Sequence, residues 1–110
     1  MRAYELMIIF EADLDDSTIQ KMLNGLTESV ESGGGEVANV DKWGRRRFAY
    51  EINHKFEGYY VVLEIVTEAT DLHDIERSLR IADECVRHKL MRLPEHEANR
   101  RELFGATATA

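Results

Sequence analysis

Four acids crowd between residues 11 and 16, and Glu11, Asp13, Asp15 and Asp16 are of the type that holds calcium. A helix–loop–helix calcium loop needs glycine at its sixth position and glutamate at its twelfth. Counted from Glu11, those places hold Asp16 and Met22. The acids suit the start of a helix instead, where unpaired amides and the positive dipole end favour carboxylates. Cys85 and His88 have half-site spacing for zinc, but a structural zinc wants four ligands and neither His54, His73 nor His96 supplies a second pair. Gly33-Gly34-Gly35 lacks the lysine of a phosphate loop and follows a helical pattern instead of preceding one, so it reads as a turn. Nothing marks a serine activated by a neighbouring base. The chain reads as a non-enzyme with no metal, no cofactor and no small-molecule substrate.

Two basic features remain. Arg45-Arg46-Arg47, flanked by Trp43 and Tyr50, combines guanidinium donors with aromatic surface, as recognition of phosphate and of protein both require. Strand alternation places Arg45 and Arg47 on one face with Trp43, and Arg46 on the other. Arg87, Lys89 and Arg92 form the second feature. Either set could also be a solvated sheet edge whose charges prevent aggregation. An RNA-recognition motif would show a base, glycine, aromatic, small residue and aromatic on its third strand. Glu57-Gly58-Tyr59-Tyr60-Val61 has an acid in place of the base and a tyrosine in place of the small residue, which speaks against base stacking of that kind.

The elements that would position these residues follow from periodicity. Residues 3–10 form a short strand, apolar on nearly both faces. Ser17-Thr18-Ile19-Gln20 is a capping-box pattern, and Ile19, Met22, Leu23, Leu26 and Val30 then recur at helical spacing up to the glycine run. Residues 36–53 read as a long bent strand with a bulge at Gly44, His54 to Gly58 as a turn, and 59–67 as the plainest strand of the chain. A second helix runs from about Asp71 with Leu72, Ile75, Leu79 and Ala82 on one stripe, and a last strand from Cys85 to Leu93 ends before Pro94. This order predicts an α+β, ferredoxin-like βαββαβ fold: a four-stranded antiparallel sheet with two helices on one face, its first and third strands central. Residues 1–93 form the domain, and 94–110 read as a flexible C-terminal tail.

Composition sets the outer bounds. A chain of 110 residues, 44% apolar and 32% charged, is one ordinary globular domain. No apolar run approaches the ~20 residues of a membrane span, and the opening residues do not read as a secretory signal. The single cysteine, Cys85, suits a reducing compartment. Net charge is −7, yet residues 1–41 hold nine acids and two bases while residues 42–110 hold twelve of each. Phosphate responds to local potential within about a Debye length, so such a chain can bind RNA, modestly and with help.

At Gly44-Arg45-Arg46-Arg47-Phe48-Ala49-Tyr50-Glu51-Ile52-Asn53 the sequence resembles the bacterial small-subunit ribosomal protein six family, with Phe48 in place of the usual leucine. Arg2-Ala3-Tyr4-Glu5-Leu6, Lys42-Trp43-Gly44, Glu57-Gly58-Tyr59-Tyr60, and Leu79-Arg80-Ile81 leading to Val86-Arg87 support the likeness, which spans about residues 1–93. The resemblance implies a cytoplasmic structural constituent of the small ribosomal subunit. It implies further that the chain binds the central domain of small-subunit (16S) ribosomal RNA together with small-subunit ribosomal protein eighteen. By matched position, Asp41, Arg46 and Arg47 would face the protein partner, and Arg2, Tyr4, Arg87 and Arg92 would contact RNA. The alternatives are a small dimeric ferredoxin-like enzyme or ligand-binding regulatory domain, and a protein-only adaptor that never meets RNA.

Overall fold

A computed structural model describes residues 2–52, 55–68 and 72–103. The elements run β1 (Arg2–Glu11), α1 (Asp16–Ser32), β2 (Glu36–Ile52), β3 (Lys55–Thr67), α2 (His73–Ile81), β4 (Cys85–Leu93) and α3 (Glu95–Arg100). The four strands form one antiparallel sheet in the order β2-β3-β1-β4, the ferredoxin-like arrangement expected from the element order. β3 begins at Lys55, so most of the stretch read as a turn belongs to the strand, while His54 lies outside the described residues, as does Asp71 ahead of α2.

Alternation along β1 explains the core. Tyr4, Leu6, Ile8 and Phe10 face the helices, where they meet Val61, Leu63 and Ile65 of β3, Ile19, Leu23, Leu26 and Val30 of α1, and Leu72, Ile75 and Leu79 of α2. The other parity of β1 (Ala3, Glu5, Met7, Ile9) looks out from the open face of the sheet. Those residues stand directly opposite Val66, Glu64, Val62 and Tyr60 of β3.

The cap of α1 lies two residues earlier than the capping-box pattern places it. Asp15 is the N-cap; its Oδ1 accepts from the Thr18 amide at 2.9 Å and from the Ser17 hydroxyl at 3.0 Å. The Thr18 bond, followed by that of Ser17, lowers the Asp15 pKa below its ordinary value. The Ser17 hydroxyl itself donates to Asp15 Oδ1, so the acid holds the capping role. At the other end, Gly34 has φ +86° and its N–H donates to Glu31 O at 3.0 Å, while Gly35 N–H donates to Val30 O at 2.9 Å. Those two bonds are the Schellman pattern, and the positive φ explains the glycine.

The segment after Leu93, read from sequence as a flexible tail, begins with structure. α3 packs on the open face, where Ala98 is fully buried against Ala3 and Leu93, with Leu103 alongside. Arg101 fastens it. Its Nη1 lies 3.2 Å from Glu5 Oε1 and 3.2 Å from Glu64 Oε2, and its Nε donates to Glu97 Oε1 at 2.7 Å. Glu5 and Glu64 are directly opposed on neighbouring strands, a repulsive pairing that a shared guanidinium relieves. Residues 104–110 lie outside the described part.

Arg100 and Arg101 hold the Glu97 carboxyl down to about 2 by hydrogen bonding. A lowered folded pKa contributes stability above the ordinary value of 4.5, and that contribution disappears as pH falls toward 2. The docking of α3 should therefore loosen between those limits, ahead of the sheet. An NMR titration of the Ala98 and Leu103 amides checks this: they should shift in that window while Leu63 holds until global unfolding.

Candidate nucleic-acid and protein-docking surfaces

Gly44 determines where the arginine triplet points. It has φ +85°, and the β2–β3 register slips between Lys42 and Gly44. The bulge adds a residue to β2 and reverses the alternation beyond it. Trp43 and Arg46 therefore share the open face, whereas unbroken alternation would put Trp43 with Arg45 and Arg47. The Trp43 ring stacks on Tyr60 with centroids 6.2 Å apart and planes 4° from parallel. Arg46 lies over Trp43 with its guanidinium carbon 5.3 Å from the ring centroid. Trp43 Nε1–H donates to Asp41 Oδ2 at 3.0 Å. Asp41 and Arg46, two of the three residues expected to face a protein partner, are thus joined through Trp43 in one row along an edge strand.

Arg45 turns the other way and is structural. Its Nε donates to Ala12 O at 2.7 Å, its Nη2 donates to Leu14 O at 2.6 Å, and its guanidinium lies 5.3 Å from the Tyr59 ring centroid. Arg45 thereby pins the loop between β1 and α1. Lys42 follows the same pattern, its ammonium donating to Gln20 of α1. Arg47 pairs with Glu57 in the ladder and lines a hollow with Glu11, Asp13 and Lys55, apart from the Asp41–Arg46 row.

The four residues expected to contact RNA divide between the faces. Arg92 stands directly opposite Tyr4, and Arg2 shares their parity, so these three gather at one end of the helix-covered face. Arg87 stands opposite Ile9 on the open face near the other end. Tyr4 is 5% exposed and its ring belongs to the core. Burial raises the Cys85 thiol to about 11, and Cys85 packs against the main core. His88 turns toward Glu76 of α2, with Nε2 3.6 Å from Oε2. That contact turns the imidazole toward α2 instead of toward a ligand set with Cys85.

Sequence reading missed a hollow on the open face. Met7, Ile9 and Phe48 floor it, Tyr50 walls it, and Arg87 and Lys89 reach it from β4. One signal was available: β1 is apolar on both parities although the topology covers only one face, so apolar surface had to remain on the other.

These features define a class: a ferredoxin-like α+β domain with arginines and aromatics arranged along its sheet surfaces. Among the described residues no group of three metal-binding side chains occurs. The sequence profile of the ribosomal protein S6 family matches residues 3–92, and the chain belongs to that family, which is structural and not enzymatic. It is 41% identical over 92 residues to the small ribosomal subunit protein bS6 of Carboxydothermus hydrogenoformans, covering 84% of this chain and 96% of that one. It is 40% identical over 96 residues to the bS6 protein of Beutenbergia cavernae, covering 87% and 100%. In three dimensions it is similar to the crystal structure of 30S ribosomal protein S6 from Thermotoga maritima, with a TM-score of 0.81 at 26% identity over 94% of this chain and 98% of that one. A chemotaxis kinase CheA P2 domain from Thermotoga maritima, in a complex with CheY, shares the fold alone, at 14% identity and a TM-score of 0.52 over 84% of this chain and 98% of that one.

Proposed function

We propose that this chain, a component of the bacterial small ribosomal subunit at work in the cytoplasm, binds the central domain of 16S ribosomal RNA as a heterodimer with small-subunit ribosomal protein eighteen. The observation that carries the reading is the separation of two surfaces on one rigid sheet. The Asp41–Trp43–Arg46 row lies along the β2 edge, and the bases of β1 and β4 lie on and around the opposite edge. Guanidinium over tryptophan is the composition of a protein interface centre. Arg2 and Arg92 have the character of phosphate contacts, which position a protein without reading sequence. With so few bases and a net charge of −7, the partner must supply much of the attraction for RNA.

The expected result is weak binding of a central-domain RNA fragment by this chain alone and strong binding once protein eighteen is added. Filter-binding titrations with and without the partner measure this, and tight binding that ignores the partner would refute it. Arg46→Ala together with Arg47→Ala should weaken the heterodimer in calorimetry while the circular dichroism stays native. Because Arg47 stands apart from the row, most of that loss should come from Arg46. Unchanged pairing would remove both from the interface.

A further inference from the structure

We propose that the hollow on the open face, between the C-terminal part of β2 and β4, takes an unpaired nucleotide of RNA, with the base against Tyr50 and the phosphate between Arg87 and Lys89. The inference rests on the RNA-binding reading and adds a site to it. The hollow has a volume of about 320 Å³, at the lower end of ligand-sized pockets. Its floor of Met7, Ile9 and Phe48 is apolar, and Arg87 and Lys89, its charged linings, are both bases. A flat aromatic ligand bearing negative charge matches that combination. A segment of a basic protein does not, because its lysines and arginines would meet like charge in a partly desolvated place.

The aromatic inventory narrows the position of the base. Tyr60, on the strand where an RNA-recognition motif carries its stacking ring, is already engaged: Trp43 stacks on it and Phe48 lies against it, tilted by 59°. Trp43 in turn lies under Arg46. Tyr50 is different, 68% exposed at the wall of the hollow. A ring so exposed contributes little to the core, and stacking on a base would cover it. Arg87 and Lys89 alternate with His88 on β4, so both side chains leave the same face of the strand and stand one step apart along it. That spacing lets the two cations flank one phosphate.

The test uses the full chain and hexa-adenylate RNA at low salt, followed by NMR and fluorescence titration. The resonances of Tyr50, Phe48, Arg87 and Lys89 should shift together. Tyr50→Ala should lower the affinity about tenfold, the scale of one lost base stack, and Tyr50→Phe should keep it. Lys89→Ala should reduce the steepness of the salt dependence by about one counterion. If the shifts gather around Arg2 and Arg92 instead, or Tyr50→Ala binds as the parent does, the site is overturned. Loss of pairing with protein eighteen in Tyr50→Ala, with oligonucleotide binding intact, would also overturn it by making the hollow a protein-docking surface. None of those results touches the wider reading, which stands or falls on the partner-dependent titration with the ribosomal fragment.

Discussion

Gly58→Ala should destabilise the fold by about 3 kcal/mol, near the upper end of what overpacking costs. A methyl placed on Gly58 would lie 2.4 Å from Ile9 Cγ2, 2.9 Å from Phe48 Cζ and 3.1 Å from the Phe10 carbonyl oxygen. The first two are side chains and can shift, but Ile9 is buried and Phe48 leans on Tyr60, so moving either disturbs the aromatic row. The third is backbone of the central strand, held in the ladder on both sides. Relief therefore means bending β3 away from β1 at the Glu11–Gly58 end of their ladder. Urea denaturation followed by tryptophan fluorescence measures the effect, and Trp43 reports it directly. A loss under 1 kcal/mol would show that the Ile9–Phe48 contact is loose.

Arg45→Ala should cost about 2 kcal/mol, far more than an exposed arginine usually does. Surface ion pairs contribute little, and the approach to Asp16 at 3.9 Å is of that kind. The larger part comes from two charge-assisted bonds to the carbonyls of Ala12 and Leu14 and from the contact with Tyr59. Removing the guanidinium leaves the β1–α1 loop without its tie to β2. Arg45→Lys should recover only a minor share, because an ammonium cannot present two donors at the angle a guanidinium does. Thermal unfolding of the three proteins orders them. If Arg45→Ala and Arg46→Ala melt alike, Arg45 is not the structural arginine of the pair.

That distinction also shows where the sequence was legible. The order of strands and helices, the central position of β1 and β3 and the bulge at Gly44 could all be read from periodicity and glycine placement. The bulge's consequence was not carried forward: one added residue reverses every side chain after it, so the face assigned to Trp43 was right only for an unbroken strand. Asp15 was legible as an acid favourable to a helix start, but Ser17 and Thr18 offered a competing cap, and only geometry decides which oxygen reaches the Thr18 amide. α3 left a weak signal because six residues carry too little periodicity, and its docking depends on Arg101 meeting two carboxylates distant in sequence. Of the candidate site, the residue types were legible and their grouping was not. Tyr4 was named beside Arg2 by family likeness alone, whereas its place in a strand whose even positions face the helices is what puts its ring in the core.

Because β4 follows the other three strands in the chain and completes the edge beside β1, the sheet stays open until β4 has been made. Until Leu93 clears the exit tunnel, β1 has one bare edge and Arg87, Lys89 and Arg92 have no fixed geometry. A polypeptide that stops short of β4 thus lacks Arg87 and Arg92, two of the four residues proposed to meet RNA, and keeps one edge of β1 unpaired.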